Sequence, residues 1–118
     1  MPKLPAIPKG FTSVIAERRL ILESSDARRK LCIQIGAPIQ DVPTVSGFDW
    51  RCPIRFAGLR RRRALQACGV DSLQSVVHAL FLIQSELRGI EQDGRSRLIW
   101  LDEHGHGFPH IELTSSQF

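Results

Sequence analysis

The sequence predicts an α+β fold: an antiparallel four- to five-stranded meander with one long amphipathic helix packed on one face. Two patterns support this prediction. Apolar and polar residues alternate strictly from Phe48 to Phe56, which is typical of a half-buried antiparallel strand. An apolar stripe with the helical period then follows from Ser72 to about Gln92. At 118 residues the chain can form one core, and its apolar fraction of 42% excludes a disordered chain.

The domain is flanked by segments of a different character. Prolines within residues 1–11 predict an extended arm, followed by a single domain over 12–113 and a tail over 114–118. The arm has too short an apolar stretch for a signal peptide, and no apolar run is long enough to cross a membrane. We therefore expect a cytoplasmic protein of bacterial type.

Two alternating segments precede the best-defined strand. The first covers residues 12–23, where Arg18 is an exception on the apolar side. After a turn at 24–26, the second strand places Leu31, Ile33 and Ile35 inward. The segment 36–47 contains prolines and is predicted to be a loop.

The third strand has the strongest pattern of the chain. Its outward positions include Arg51 and Arg55, and Pro53 lacks a donor, so one side of the strand must be an edge or a bulge there. The segment from Arg60 to Cys68 is predicted to return as a fourth strand. The inward positions of the third strand are Phe48, Trp50, Cys52, Ile54 and Phe56.

The helix begins after Asp71, a good N-cap with Gln74 three residues later, and ends near Gly94. A fifth strand is predicted over 97–101. Leu82 lies opposite the apolar stripe, so we expect it to be exposed. The predicted stripe consists of Leu73, Val76, Val77, Leu80, Ile83, Leu87 and Ile90.

A family resemblance accompanies these patterns. The run from Asp49 to Leu59 (DWRCPIRFAGL), the run from Gly69 to Gln74 (GVDSLQ) and Trp100 resemble an uncharacterised family of small bacterial domains, as does IAER at 15–18. The resemblance covers roughly residues 13–109. It supports the order of elements and implies no catalytic residues.

Arginines dominate the positive charge of the chain, whose formal net charge is +4. The run Arg60–Arg63, together with Arg51 and Arg55, predicts a basic sheet face that could bind an acidic protein or the phosphates of a nucleic acid. Sheets that bind single-stranded nucleic acid usually stack bases on exposed aromatic side chains. Because the aromatic residues of the third strand are predicted to point inward, an acidic protein is the favoured partner.

Two further features suggest contacts or ligands. Phe81 and Leu82 offer an apolar helix surface that could support a homodimer, whereas Pro53 and the arginine run oppose edge-to-edge pairing of sheets. His104, His106 and His110 could ligate zinc, nickel or copper. Their spacing fits no common zinc motif, and the intervening glycines favour a solvated loop.

No sequence pattern points to catalysis. The three cysteines are well separated and odd in number, which argues against a disulfide framework, and no serine has a nucleophile-elbow context. We expect a non-enzymatic interaction domain that binds another protein, in the form of an inhibitor or immunity-type partner of an acidic target, without a cofactor. The alternatives are a nucleic-acid-binding accessory protein that uses the basic sheet face, and a metal-binding histidine loop.

Overall fold

The computed structural model describes residues 3–11, 13–59 and 63–109, apart from the side chain of residue 63. In this part of the chain, seven strands and one helix confirm the α+β class, and the strands form one antiparallel sheet. The expected four to five strands are too few. The elements are β1 (Val14–Glu23), β2 (Arg28–Gly36), β3 (Ile39–Pro43), β4 (Phe48–Ala57), β5 (Arg63–Gly69), α1 (Ser72–Gly94), β6 (Arg97–Trp100) and β7 (Glu103–His104).

The two additional strands are β3 and β7. β3 lies in the segment predicted to be a loop, but Pro38 precedes it and Pro43 is its last residue, so neither proline removes a donor from its interior. β7 forms a hairpin with β6 through Leu101 and Asp102, which both have positive φ angles of 53° and 64°. A turn of this kind usually contains Gly or Asn, and neither residue marks it in the sequence.

The order of the strands explains how one helix covers one face. β1 pairs with β2, β2 with β4 and β4 with β5, which is the expected meander. α1 then carries the chain back across the sheet, so that β6 pairs with β1 and β7 with β6. The order is therefore β5–β4–β2–β1–β6–β7, and β3 pairs with the first half of β4 in line with β2. We call the face against α1 the inner face and the opposite one the outer face.

Pro53 lies in a central strand, at the place where pairing changes partner. β3 pairs with β4 as far as Arg51, and β2 pairs with it from Ile54 onward. The N–H donor that Pro53 lacks would therefore fall between the two ladders. This agrees with the edge or bulge that the sequence predicts at this proline. A Cβ atom on Gly36 would lie only 2.8 Å from Cγ of Pro53, so the proline ring packs directly against this glycine.

α1 begins as predicted, and most of the predicted stripe packs against the core, but the buried side is rotated toward Ser75 and Ala79. Asp71 caps the helix by accepting a hydrogen bond from the Gln74 backbone N–H at 2.7 Å. Leu73, expected in the core, is 70% exposed, whereas Ser75 and Ala79 are fully buried. The helix comes very close to β5, because a Cβ atom on Gly69 would lie 2.5 Å from the Ser75 nitrogen. Small residues permit this approach, which rotates the larger Leu73 outward.

The rotation also changes the position of Leu82. Leu82 is half-buried and packs against the core, so its predicted exposure is wrong.

Within the described part of the chain, no helix combines the length and apolar character that crossing a bilayer requires. The buried core consists of Leu20, Leu31, Ile33, Ile35, Cys52, Ile54, Phe56, Ala67, Ala79, Ile83, Leu87 and Leu98.

Arg18 stands on the inner face, as the sequence predicts, and the segment after β7 closes over it. Its guanidinium lies 3.8 Å from the centroid of Trp100 and 4.9 Å from that of Phe108, and its Nη1 donates to the His106 carbonyl at 3.0 Å. Gly107 has a φ of 72° and approaches both Trp100 and Arg18 where a side chain would clash. The cation–π contacts therefore hold the end of the described chain against the inner face.

Candidate functional site

The residues that the structure describes cover only one half of the outer face. The arm lies across β4 and β5, where the Gly10 carbonyl accepts from Arg51 and Phe11 lies beneath the Arg55 guanidinium, with 4.3 Å from Cζ to the ring centroid. Over β1, β2 and β6 the face is open and forms a shallow cavity of about 650 Å³. We call this cavity the outer-face groove. It is lined mainly by Glu17, Arg19, Ile21, Lys30, Cys32, Gln34, Ala57, Ile99, Leu101 and Asp102.

The floor of the groove is apolar because two strands carry apolar residues on both faces. Ile21 pairs with Ile99 across β1 and β6, so their side chains stand side by side on the outer face. Leu101 extends this surface and is 76% exposed. Three adjacent apolar side chains therefore form a small exposed patch on this face.

A polar ladder borders one end of the groove. Register places Glu17, Gln34 and Arg55 side by side on three strands. Arg55 donates to Gln34 Oε1 from Nε at 2.9 Å and from Nη2 at 2.6 Å, and Gln34 Nε2 donates to Glu17 Oε2 at 3.1 Å. The hydrogen bond from Gln34, followed by one from Cys32, lowers the pKa of the Glu17 carboxyl. The ladder thus keeps an anion at this end in its charged form.

Two cations and a second carboxylate border the rest of the groove, since Asp102 lines it together with Arg19 and Lys30. The Arg19 side chain is 83% exposed, lies 3.5 Å from a Glu17 carboxylate oxygen and also interacts with the Cys32 thiol. Lys30 is exposed and has no ion-pair partner among the residues that the structure describes. Farther along the sheet, Arg28 and Arg97 stand on either side of a single carboxylate, Glu23. The apolar floor is therefore bordered by charges of both signs, and of its two cations Lys30 is the one left without an ion pair in the described part of the chain.

Arg51, predicted to belong to an open basic face, is buried. The alternation correctly places it on the outer face, but the arm, β3 and β5 surround it there and leave it 3% exposed. Nε and Nη2 donate to the two carboxylate oxygens of Asp41 at 2.7 and 3.1 Å, and Nη1 donates to Gly10 and Gln66. With its donors used in this way, Arg51 is a structural residue.

Of the other arginines predicted on the basic face, the structure describes the side chain of Arg55. Arg55 lies on the outer face as expected, but it is half-buried between Gln34 and Phe11. Arg60, Arg61 and Arg62 lie outside the described residues. Arg63 begins β5, and its side chain is also outside the description. Among the described side chains, Arg55 lies on the predicted face and Arg51 is withdrawn into the interior, while the part of the prediction that concerns Arg60–Arg63 stays a prediction.

Phe81 and Leu82 were expected to form an exposed helix surface. Both are half-buried, and Leu82 contacts the core. Their side of α1 is the one that extends over β5, because the His78 Nδ1 atom lies 2.8 Å from the Cys68 carbonyl oxygen. The most exposed apolar helix residue is instead Leu73.

The histidine segment is used for internal contacts. His104 Nε2 lies 3.3 Å from Glu91 Oε2, and His106 Nδ1 accepts from the Phe108 backbone N–H at 3.0 Å. His110 lies outside the described residues. Among the residues that are described, no group of three His, Cys, Asp or Glu side chains is close enough together to hold a metal ion.

The cysteines differ in environment. Cys52 is fully buried, as its inward position predicts, and desolvation raises the pKa of its thiol to about 11. Cys32 lines the groove, where desolvation and Glu17 raise the pKa of its thiol. A raised pKa disfavours the thiolate, so these two thiols are poor nucleophiles near neutral pH.

Because the pKa of the Cys52 thiol is raised in the folded protein, we expect the protein to lose stability at alkaline pH. The unfolded chain loses this proton near the ordinary pKa of 9.0, whereas the folded protein keeps it to about 11. The native state then binds more protons, so the free energy of unfolding should fall across this window by about 2–3 kcal/mol. Urea titrations at about pH 8 and about pH 11 measure the change. Cys52→Ala should lack this component, and an equal fall in both proteins would contradict the assignment.

Sequence reasoning overlooked the apolar floor of the groove. A signal was present, because Leu20-Ile21-Leu22 and Leu98-Ile99-Trp100 are apolar at consecutive positions. Such runs place apolar residues on both faces of a strand. The inner-face members fill the core, which leaves Ile21 and Ile99 for the outer face.

Fold and site together define a small α+β domain that has a helix on one sheet face and an open groove on the other. The chain belongs to the family described as a domain of unknown function (DUF6968), whose model matches residues 16–110. The expected relationship to an uncharacterised domain family is confirmed at that level. Neither a curated protein nor a solved structure matches the chain.

Proposed function

We propose that this protein is a non-enzymatic interaction domain whose outer-face groove binds an acidic, apolar segment of another protein. The observation that carries the proposal is the exposed apolar floor, with Leu101 at 76% exposure, beside the cations Arg19 and Lys30. Its three free cysteines suit the reducing conditions of a cytoplasm, which is where we place it. An inhibitor or immunity-type role would use the same surface.

The arrangement of the groove favours an extended segment. The strands beneath it are paired on both sides, so a ligand must lie on the sheet face and present side chains to it. Ile21 and Ile99 offer contact to an apolar side chain, and Lys30 stands in the same cross-strand row. In the ligand, an apolar residue would pack on Ile21 and Ile99, and an acidic residue next to it would pair with Lys30. The apolar contact buries surface area, and the charged contact gives specificity.

Selection from a random peptide library tests the proposal directly. The wild-type domain should enrich peptides in which Asp or Glu alternates with large apolar residues. Leu101→Asp places an anion in the apolar floor and should weaken binding of those peptides at least about tenfold. Val45→Asp is the matched control, because Val45 is 96% exposed and lies outside the groove, so it should bind like the wild type.

Two outcomes would overturn this assignment. One is the absence of enrichment, or the same peptides selected equally well by Leu101→Asp. The other is tight binding of single-stranded or duplex nucleic acid that weakens steeply as salt is raised, since phosphate neutralisation produces that dependence. Fluorescence anisotropy with labelled oligonucleotides at low and moderate salt measures it.

A further inference from the structure

The outer face along β1 is divided into rows of side chains that stand next to each other on neighbouring strands. Side chains on one face recur at every second residue, so successive rows lie about 6.8 Å apart along the strands. The first three rows line the outer-face groove, and the fourth continues the same face beyond it. In order, the rows are Gln34 and Glu17, then Cys32 and Arg19, then Lys30, Ile21 and Ile99, and then Arg28, Glu23 and Arg97.

The fourth row is cationic. Arg28 and Arg97 stand on either side of Glu23, so two guanidinium groups share one carboxylate. An Arg28 nitrogen lies 3.4 Å from a Glu23 oxygen, whereas Arg97 is exposed and forms no ion pair with the residues that the structure describes. Lys30, in the neighbouring row, is likewise exposed and unpaired there. This end of the face therefore has two cations available to a ligand.

The opposite end is anionic. Glu17 lies in the first row, where hydrogen bonds from Gln34 and Cys32 keep its carboxyl charged. β6 runs antiparallel to β1, so Asp102, which follows the end of β6, lies on the Glu17 side of Ile99. Arg19 offsets part of this charge through its 3.5 Å contact with Glu17. The electrostatic potential thus changes sign along the groove, with the apolar floor between the two ends.

An extended peptide matches this spacing. A peptide that lies along the strands presents every second side chain to the sheet, again about 6.8 Å apart. If one of its apolar side chains packs on Ile21 and Ile99, the residue two positions away in one direction lies over Arg97. In the other direction, the residue two positions away lies beside Leu101, and the residue four positions away lies beside Glu17.

We propose that the segment bound in the groove has an ordered charge pattern: an acidic residue at one end, two apolar residues in the middle and a basic residue at the other end. One solvent-facing residue separates each of these from the next. The inference rests on the proposed function and adds to it the order of charges in the ligand. The acidic residue meets Arg97, which lacks a counterion, and the basic residue meets Glu17.

The two charged ends act together to fix how the segment is placed. A carboxylate over Arg97 can form a charge-assisted hydrogen bond with the guanidinium. The same carboxylate at the other end would lie beside Glu17 and would be repelled. Complementary charges at both ends therefore favour one placement of the segment and disfavour the reverse, which is how charged groups contribute specificity to an interface.

Reversal of one charge tests the pattern in the peptide selection. Peptides selected by the wild type should carry Asp or Glu two positions beyond the apolar pair, whereas Arg97→Glu should enrich Lys or Arg at that position. Arg88→Glu is the matched control, because Arg88 is an exposed arginine of α1 outside the groove. It changes the net charge equally and should select the wild-type pattern. An unchanged preference for acidic residues in Arg97→Glu would overturn the charge order.

Fluorescence anisotropy with two synthetic heptapeptides measures the size of the effect. The first has glutamate at its first position, leucine at the third and fifth, lysine at the seventh and serine between them. Arg97→Glu should weaken its binding about tenfold, and exchange of its glutamate for lysine should restore most of the loss. The second peptide has the same composition, with leucines at its two ends and the charged residues inside, and should bind the wild type at least about tenfold more weakly.

The outcomes separate this inference from the proposed function. Equal binding of the two peptides that is lost in Leu101→Asp would overturn the charge order and leave the groove as the binding site. Binding of the first peptide that is unaffected by Leu101→Asp would overturn the groove itself. If neither peptide binds the wild type, both assignments fail.

Discussion

Replacing Phe56 with alanine is expected to lower the free energy of unfolding by about 3–5 kcal/mol. Phe56 is fully buried and is the largest such side chain among the described residues. It stands on the inner face of β4, directly across from Ile33 of β2 and beneath the layer formed by α1. Truncation removes the transfer free energy of the ring and leaves a cavity that close-packed neighbours fill only partly. Equilibrium urea denaturation measures the loss.

Phe48→Ala is the matched control for this substitution. Phe48 belongs to the same strand and the same face, and the alternation of the sequence treats it as equivalent to Phe56. It is nevertheless 59% exposed. We expect a loss of no more than about 1 kcal/mol, as for surface positions. Equal losses for the two phenylalanines would contradict the described depth of the core.

The comparison of Phe48 with Phe56 shows what alternation can predict. Alternation assigns a residue to a face, and that assignment holds for both phenylalanines and for Arg51. The depth of each position depends on what lies above it, and distant segments decide this. Phe48 begins β4, at the end of the sheet where α1 starts, and it is left uncovered. Arg51 is covered because the arm crosses the outer face there.

The helix also shows that local sequence patterns do not fully determine which residues are buried. Local signals predicted its start at Asp71 correctly, because a capping side chain acts within one turn. The stripe of large apolar residues predicted the buried side only approximately, since Ile83 and Leu87 are buried whereas Leu73 is exposed. The difference lies at the start of the helix, where the close approach of Gly69 to the Ser75 backbone accompanies the burial of Ser75. A contact between a glycine and a serine has no hydrophobic signature in the sequence.

One feature of the candidate site can be predicted from the sequence, and another cannot. Runs that are apolar at consecutive positions imply that Ile21 and Ile99 lie on the outer face, so the floor of the groove is deducible from the sequence. The extent of the groove is not deducible. In the described part of the chain it exists because the arm covers β4 and β5 and not β1, β2 and β6. Proline-rich extended segments carry no periodic signal for where they lie.

Asp41→Asn is expected to destabilise the protein by about 3 kcal/mol, although it changes one atom of a side chain on the short strand β3. The physical reason is that Asp41 is the counterion of a buried arginine. Arg51 is 3% exposed, and its bidentate contact with Asp41 supplies the compensating negative charge. Asparagine retains one acceptor and removes the charge, which leaves a buried guanidinium without its counterion. The loss lies at the lower end of the usual range because the Asp41 side chain keeps 31% of its exposure.

Two further variants distinguish an unpaired charge from a packing defect. Arg51→Met combined with Asp41→Asn removes the buried charge together with its partner, so this double variant should lose much less than the sum of the two single variants. Glu23→Gln removes the carboxylate from a solvent-exposed contact with Arg28 at 3.4 Å and should change stability by less than about 1 kcal/mol. Urea denaturation of the complete double-mutant cycle measures the coupling. If the losses of Arg51→Met and Asp41→Asn are simply additive, the two side chains do not depend on each other, and the buried pair does not hold β3 to β4.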